Sequence, residues 1–353
     1  MRRLAAPFSA ILVTLALAAP TLACGGLIGP NGAVNLLRTT TLAGYHDGVE
    51  HYVTAFEFAG GGGAFGSIIP LPGIPTSVVR GGDWTLQRLV RETDPQPLFF
   101  DALGTAAASP RVIVLQQVRI DALDITILKG GGAEIGVWAK DHGFSLPPDA
   151  PEVLDFYANR SPIFMAASFD ADAAAARGQA IGDGTPVHLT IPTDNPWVPL
   201  RILALGKSAA ETVQADVYLL TDDRPALLPA PGSKLAEGGL ALTHSDAASP
   251  QLLSDLRSDK GMEWVPQSAW LSKIAIGATA ANLRFDLAID ASGGGKPSLR
   301  DAGFAPFGPL PAPPAWNPLW VMLLVISLAV PLGGGWLLGV ALRNAGGGRP
   351  LAG

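Results

Sequence analysis

Hydrolysis by serine, metal binding and carboxylate chemistry each require particular residue types at one place, and this sequence offers little for any of them. A serine becomes a nucleophile beside a base and an orienting acid, and a Gly-x-Ser-x-Gly turn advertises it. Ser67 stands between Gly66 and Ile68 with no such elbow and reads as a strand residue; no Ser-x-x-Lys pair occurs. Of the five histidines, only His46 and His51 are close in sequence, straddling the hairpin turn expected at Asp47-Gly48. Packing or solvation accounts for such a pair more simply than a metal does. Asp222-Asp223, Asp170 with Asp172, and Asp183 between Gly182 and Gly184 sit in turn contexts, where aspartate bonds its own backbone. The alternating aspartates of a calcium loop do not occur. Residues 60–63, all glycine, are followed by neither a lysine nor a helix start, so a hairpin tip is expected there rather than a phosphate cradle. No catalytic residue, metal ligand or cofactor is therefore assigned.

Two residues remain as candidates. Cys24, the only cysteine, follows Thr21-Leu22-Ala23, where a lipoprotein signal would set its lipidated cysteine. The preceding triplet departs from the usual leucine, small, small order, so cleavage before an unmodified Cys24 is the other reading. A lone cysteine also excludes an intrachain disulfide and a zinc site built on thiolates. Trp197, in a proline-rich turn, is the candidate binding loop, with packing over a sheet edge as its alternative.

The elements that would position these residues are mostly short strands. Residues 48–58 alternate, with Val49, His51, Val53 and Ala55 on one face and Glu50, Tyr52, Thr54 and Phe56 on the other. Further strands are expected at 34–42, 65–69, 111–120, 124–128, 162–169, 187–191, 198–205, 212–220, 271–276 and 283–289. Helices are expected at 84–91 with Asp83 as cap, at 152–159 after Asp149 and Pro151, and at 251–258 after Ser249-Pro250. Ile135, Trp138, Ala139 and His142 fall at helical spacing, with Gly143 where a terminating glycine belongs. Few strands are joined by long helices, which points to a strand-dominated α+β fold with antiparallel or mixed sheets.

The ends carry different signals. Met1-Arg2-Arg3, an apolar stretch and Thr21-Leu22-Ala23 have the layout of a secretory signal over residues 1–23. Residues 319–342 contain no charge and would span roughly 36 Å as a helix, enough for a hydrocarbon core of about 30 Å. Trp316 and Trp320 at one end, with Arg343 and Arg349 beyond the other, fit an interfacial aromatic belt and a cytoplasmic tail. All 30 acidic residues lie within 24–316, where 20 basic residues face them, a formal charge of −10. That balance argues against nucleic acid and against docking on anionic lipid heads.

Several phrases are similar to a known family. Cys24-Gly25-Gly26 is followed by Tyr45-His46-Asp47-Gly48-Val49-Glu50-His51-Tyr52-Val53 and Phe65-Gly66-Ser67-Ile68-Ile69-Pro70-Leu71-Pro72. Ile127-Leu128, Val137-Trp138-Ala139-Lys140-Asp141-His142-Gly143-Phe144, Pro162-Ile163-Phe164-Met165 and Trp197-Val198-Pro199-Leu200-Arg201-Ile202 continue the pattern. The chain resembles bacterial domain of unknown function 2330 over most of residues 24–220, departing at Ser67, where an aromatic residue is expected. The resemblance implies export, a membrane-facing life and a shared fold, and it implies no reaction.

The expected organisation is a signal peptide (1–23), an N-terminal lobe (24–177), a C-terminal lobe (178–305), a proline-rich spacer (306–318), a transmembrane helix (319–342) and a cytoplasmic tail (343–353). The boundary between the lobes is placed in the Ala- and Gly-rich stretch 171–184. The expected function is that of a single-pass protein of the cytoplasmic membrane, its bulk extracytoplasmic, acting as a non-enzymatic binding or envelope-structural domain. Its partners would be the lipid bilayer and an envelope protein, with no nucleic acid. The alternative is an envelope hydrolase whose site assembles only in three dimensions.

Overall fold

The structure is a computed structural model and describes residues 26–29, 32–33, 36–58, 65–93, 113–170, 176, 185–236, 238–292 and 294–304. The chain divides into two compact units, Met1–Ala305 and Pro306–Gly353, and every described residue belongs to the first. Cys24, the glycine run at 60–63, Asp172, Asp183, the spacer and the 319–342 run lie outside the described residues.

In chain order come β1 (Gly26–Gly29), β2 (Gly32–Ala33), β3 (Leu36–His46), β4 (Val49–Phe58), β5 (Phe65–Leu71), β6 (Ser77–Arg80) and α1 (Thr85–Thr93). They are followed by β7 (Ile113–Ile120), β8 (Leu123–Lys129), α2 (Gly132–Asp141), α3 (Ala150–Ala158) and β9 (Ile163–Phe169). The last group is β10 (Val187–Pro192), β11 (Trp197–Val198), a 3-10 turn (Arg201–Ala204), β12 (Thr212–Thr221), β13 (Ala226–Leu228), β14 (Leu240–Ala247), α4 (Pro250–Ser258), β15 (Trp270–Thr279) and β16 (Leu287–Asp290). This is a strand-dominated α+β fold with four described α-helices. Among the described residues no helix is long and apolar enough to cross a membrane.

Seven strands form the larger sheet in the order β14-β15-β12-β3-β4-β10-β6, and six form a second in the order β2-β1-β5-β9-β8-β7. Pairing is antiparallel except between β12 and β3, which run parallel from Ala215 opposite Thr39 to Thr221 opposite Tyr45. A third, small sheet joins β11, β16 and β13. The turn between β3 and β4 puts Asp47 at φ 49° and Gly48 at φ 76°, the doubly left-handed turn that matches strand twist and favours Asp-Gly.

The alternation of β4 sorts its residues between two cores. Tyr52 joins a large core with Ile69, Val187, Val198 and Val217, between the two main sheets, and α2 and α3 belong to the same cluster. Val53 points the other way, into a smaller core with Leu42, Tyr218, Leu86 and Leu89 of α1 and Leu252 and Leu256 of α4. The larger sheet thus has the second sheet's core on one face and α1 and α4 on the other.

Two expectations change in the folded chain. The stretch 198–205 does not continue as a strand: β11 ends at Val198 and a 3-10 turn follows. Pro199 offers no ladder donor, and the N–H groups of Leu200 and Arg201 are taken by Asp286 Oδ1 at 2.7 and 2.9 Å. Helix α1 is capped by a distant residue rather than by Asp83. Asp259 accepts the N–H groups of Asp83 and Trp84 and the hydroxyl of Thr85, each within 2.9 Å. In the larger sheet, β3 and β4 lie with β10, β12, β14 and β15, strands from the two sides of the 171–184 stretch.

Candidate functional site

Three polar clusters stand out, two of them meeting on β4. On its helix-covered face, His51 Nδ1 lies 3.0 Å from His188 Nε2, so one nitrogen donates and the other accepts. The register explains the meeting, because His188 on β10 pairs with Val53, a residue of the same face as His51. Trp264 covers the pair, its ring parallel to His51 at 4.0 Å between centroids. The room for that ring comes from Gly44, directly opposite His51 on β3: a Cβ there would lie 2.3 Å from Trp264. Burial, followed by the neighbouring imidazoles of His188 and His46, holds His51 down at about 4. Burial also lowers His188 to about 4, against a Gly261 backbone contact and the Glu263 charge, which raise it. Both rings are therefore neutral at ordinary pH and hold a fixed hydrogen bond.

His46 does not join this pair. Its Nδ1 lies 2.6 Å from Asp222 and its Nε2 3.2 Å from Asp47, on an exposed rim. Among the described residues no group of three or more histidine, cysteine, aspartate and glutamate side chains is set to hold a metal ion. His142 stacks on Trp138 at 3.7 Å and its Nδ1 lies 2.7 Å from that residue's carbonyl oxygen. Ser67 is buried in β5.

The second cluster lies where the small sheet meets α3. Arg160 and Asp286 form an ion pair with both side chains 0% exposed. Asp286 Oδ1 also accepts the Tyr157 hydroxyl at 2.8 Å, besides the two backbone N–H groups at Leu200 and Arg201. The guanidinium lies over the rings of Phe156, Tyr157 and Trp197, 4.3–5.0 Å from their centroids. A buried carboxylate with this many donors is a structural clamp, and its satisfied lone pairs leave nothing for substrate. Trp197 belongs to this clamp: it is 2% exposed, stacked on Tyr157 at 5.9 Å, so its ring offers no face to a partner. The candidate binding loop thus has its indole inside the molecule.

The third feature is Glu50, on the inner face of β4. It is 0% exposed, and neither carboxyl oxygen makes a hydrogen bond. Burial pushes it up to about 8, with the Trp197 backbone N–H acting in the opposite direction. The alternation of β4 places Glu50 on the face of Tyr52 and Thr54; that its carboxyl finds no partner there is visible only in the folded chain. On the same face, Thr39, Thr41, Tyr52 and Thr54 line a cavity of about 20 Å³ together with Pro199, Leu200 and Leu203.

None of these arrangements sets a serine beside a base and acid. Two of them pair buried side chains with one another, His51 with His188 and Arg160 with Asp286, while Glu50 has no such partner. The chain belongs to a bacterial family described as an uncharacterized protein conserved in bacteria, domain of unknown function 2330, which matches residues 18–231. No curated protein matches it. Among solved structures, baculovirus P35 is similar at 9% identity and a TM-score of 0.41, over 73% of this chain and 97% of that one. A mutated baculovirus P35 after caspase cleavage, at 2.7 Å, is similar at 9% identity and a TM-score of 0.39, over 72% and 99%.

Proposed function

We propose that this chain is a single-pass protein of the cytoplasmic membrane whose folded unit lies outside the cytoplasm and serves as a non-enzymatic binding or envelope-structural domain. The observation that carries the reading is the run 319–342, which is free of charge and long enough to cross a bilayer. The signal-like residues 1–23 and the arginines at 343 and 349 support the same orientation. Lipidation of Cys24 would add a second anchor at the other end of the exported part.

A binding role is supported by the edge of the six-stranded sheet. On β7, Ile113 is 65% exposed and Val114 and Leu115 are exposed with it, on a strand that pairs only with β8 among the described residues. Such an edge offers unpaired backbone groups and apolar side chains together.

Protease shaving of intact spheroplasts tests the topology. The expected product is a membrane-bound remnant covering 319–353, and the mass of the mature N-terminus reports the state of Cys24. Recovery of the full mature chain in the soluble fraction, with 319–342 intact, overturns the reading.

A further inference from the structure

The first strand of the folded unit and its last described residues are fastened to one region. Strand β1 begins two residues after Cys24 and lies beside the 3-10 turn at Arg201–Ala204. Leu200 and Arg201, where that turn starts, donate their N–H groups to Asp286 Oδ1. The Asp286 N–H in turn donates to the Ala302 carbonyl at 3.1 Å, and Arg160 bonds the Asp301 carbonyl. Both directions in which the chain leaves the unit therefore start near the Arg160–Asp286 clamp.

Two large apolar side chains stand out at the later of these ends. Leu299 is 61% exposed and Phe304 46% exposed. They are neighbours: the Phe304 N–H donates to the Leu299 carbonyl at 2.9 Å, and the Phe304 ring stacks on half-buried Phe285 at 5.8 Å. The backbone that carries them is pressed inward, since Ala302 is buried and a Cβ on Gly303 would lie 2.4 Å from the Phe156 ring. Leu299 and Phe304 are thus held out on a firm base. Around them Arg284, Lys296 and Arg300 are exposed, whereas Asp286 is buried against Arg160 and Asp290 and Asp301 are half-buried. This rim departs from the acidic balance of the exported part and does not repel phosphate.

We propose that the Leu299–Phe304 end of the folded unit docks on a phospholipid surface, that of the bilayer holding the run 319–342. The proposal rests on the membrane reading above and adds which face of the unit meets lipid. The 14 residues from 305 to 318 reach at most about 50 Å, so an anchored chain keeps Phe304 within that distance of the bilayer. Burial of one leucine and one phenylalanine side chain multiplies an association constant by on the order of a hundred. A tethered patch needs little more, because its effective concentration at the surface is in the millimolar range. A lipid on Cys24 would pull toward the same side, since β1 follows it there.

Photo-crosslinking tests the docking on the full-length chain reconstituted in vesicles of phosphatidylethanolamine and phosphatidylglycerol. Benzoylphenylalanine replaces Leu299 or Phe304, or, as control, exposed Ile113 on β7, the strand at the far edge of the six-stranded sheet from β1 and β2. Lipid adducts, read by mass, are expected at 299 and 304 about tenfold above 113. With the label at 304, Leu299→Asp should lower the adduct yield about tenfold. Equal yields at 299, 304 and 113 in a chain that stays with the vesicles overturn the docking and leave the anchor standing. An unchanged yield in Leu299→Asp shows that the tether alone brings the label to lipid, and it overturns the docking as well. A chain that does not enter the vesicles overturns the anchor, and the docking with it.

Discussion

His51 and His188 are 137 residues apart in sequence, yet their ring nitrogens meet at 3.0 Å across β4 and β10. Both rings stack with Trp264, at 4.0 and 5.7 Å, so burial and hydrogen bonding act on both at once. The pair is a structural joint between the sheet and the smaller core.

That joint sets an acid limit. The ordinary histidine value is 6.5 and both rings are lowered to about 4 in the fold. The unfolded chain therefore takes up protons that the native one refuses. The stability from neutral, buried rings is fully present above about pH 6.5 and is lost as pH falls through about 4. Denaturant unfolding followed from pH 7 to pH 4 should show this decline, and His188→Asn should flatten it. An unchanged profile in the variant would remove the pair as the cause.

Breaking the Arg160–Asp286 pair from one side should be severe. Arg160→Met leaves Asp286 a buried charge with only neutral donors, a loss of about 3–5 kcal/mol. The double variant Arg160→Met with Asp286→Asn should lose less than the sum of the two single changes. Urea unfolding of all three variants provides the cycle, and simple additivity would contradict a coupled clamp.

Gly44 is needed for the space it leaves. Gly44→Ala sets a methyl 2.3 Å from the Trp264 ring and forces that ring off His51. Overpacking of this kind costs about 1–3 kcal/mol, and the displaced indole should change the tryptophan emission. Wild-type stability and emission in the variant would show that the ring has room to give.

Removal of the distant cap should loosen one helix. Asp259→Ala frees two N–H groups and the Thr85 hydroxyl at the start of α1 and should cost about 1–2 kcal/mol. Faster hydrogen exchange in α1, with α3 unchanged, is the expected signature.

Much of this fold is legible in local pattern. The alternation around Glu50 and His51, the Asp-Gly turn and the Ser249-Pro250 helix start each rest on residues a few positions apart. Ser249 Oγ indeed accepts the Leu252 N–H at 3.1 Å. What local pattern misses is set across the chain. Val198 to Leu205 is apolar enough for a strand, but the donors after Pro199 are captured by Asp286, which comes 86 residues after Leu200. Asp83 is well placed to cap α1 and is displaced in that role by Asp259, 176 residues later. Strand β14 escapes notice because Thr243, His244, Ser245 and Asp246 interrupt its apolar residues and its register shifts between Leu242 and His244. The histidine pair was invisible for the same reason: His51 has a sequence neighbour in His46, and the fold gives His46 to Asp222 instead.

The parallel contact of β3 with β12 has a consequence for the order in which the chain can fold. Thr39 waits for Ala215, and β12 in turn carries β15 and β14 to their places. A chain that has delivered only its first half to the compartment where it folds has thus released β3 and β4 without the strand that covers the open edge of β3. Segments of this length leave unpaired half-sheet edges exposed before folding is complete, so a chaperone that holds the segment until Thr221 has arrived would raise the yield of folded protein.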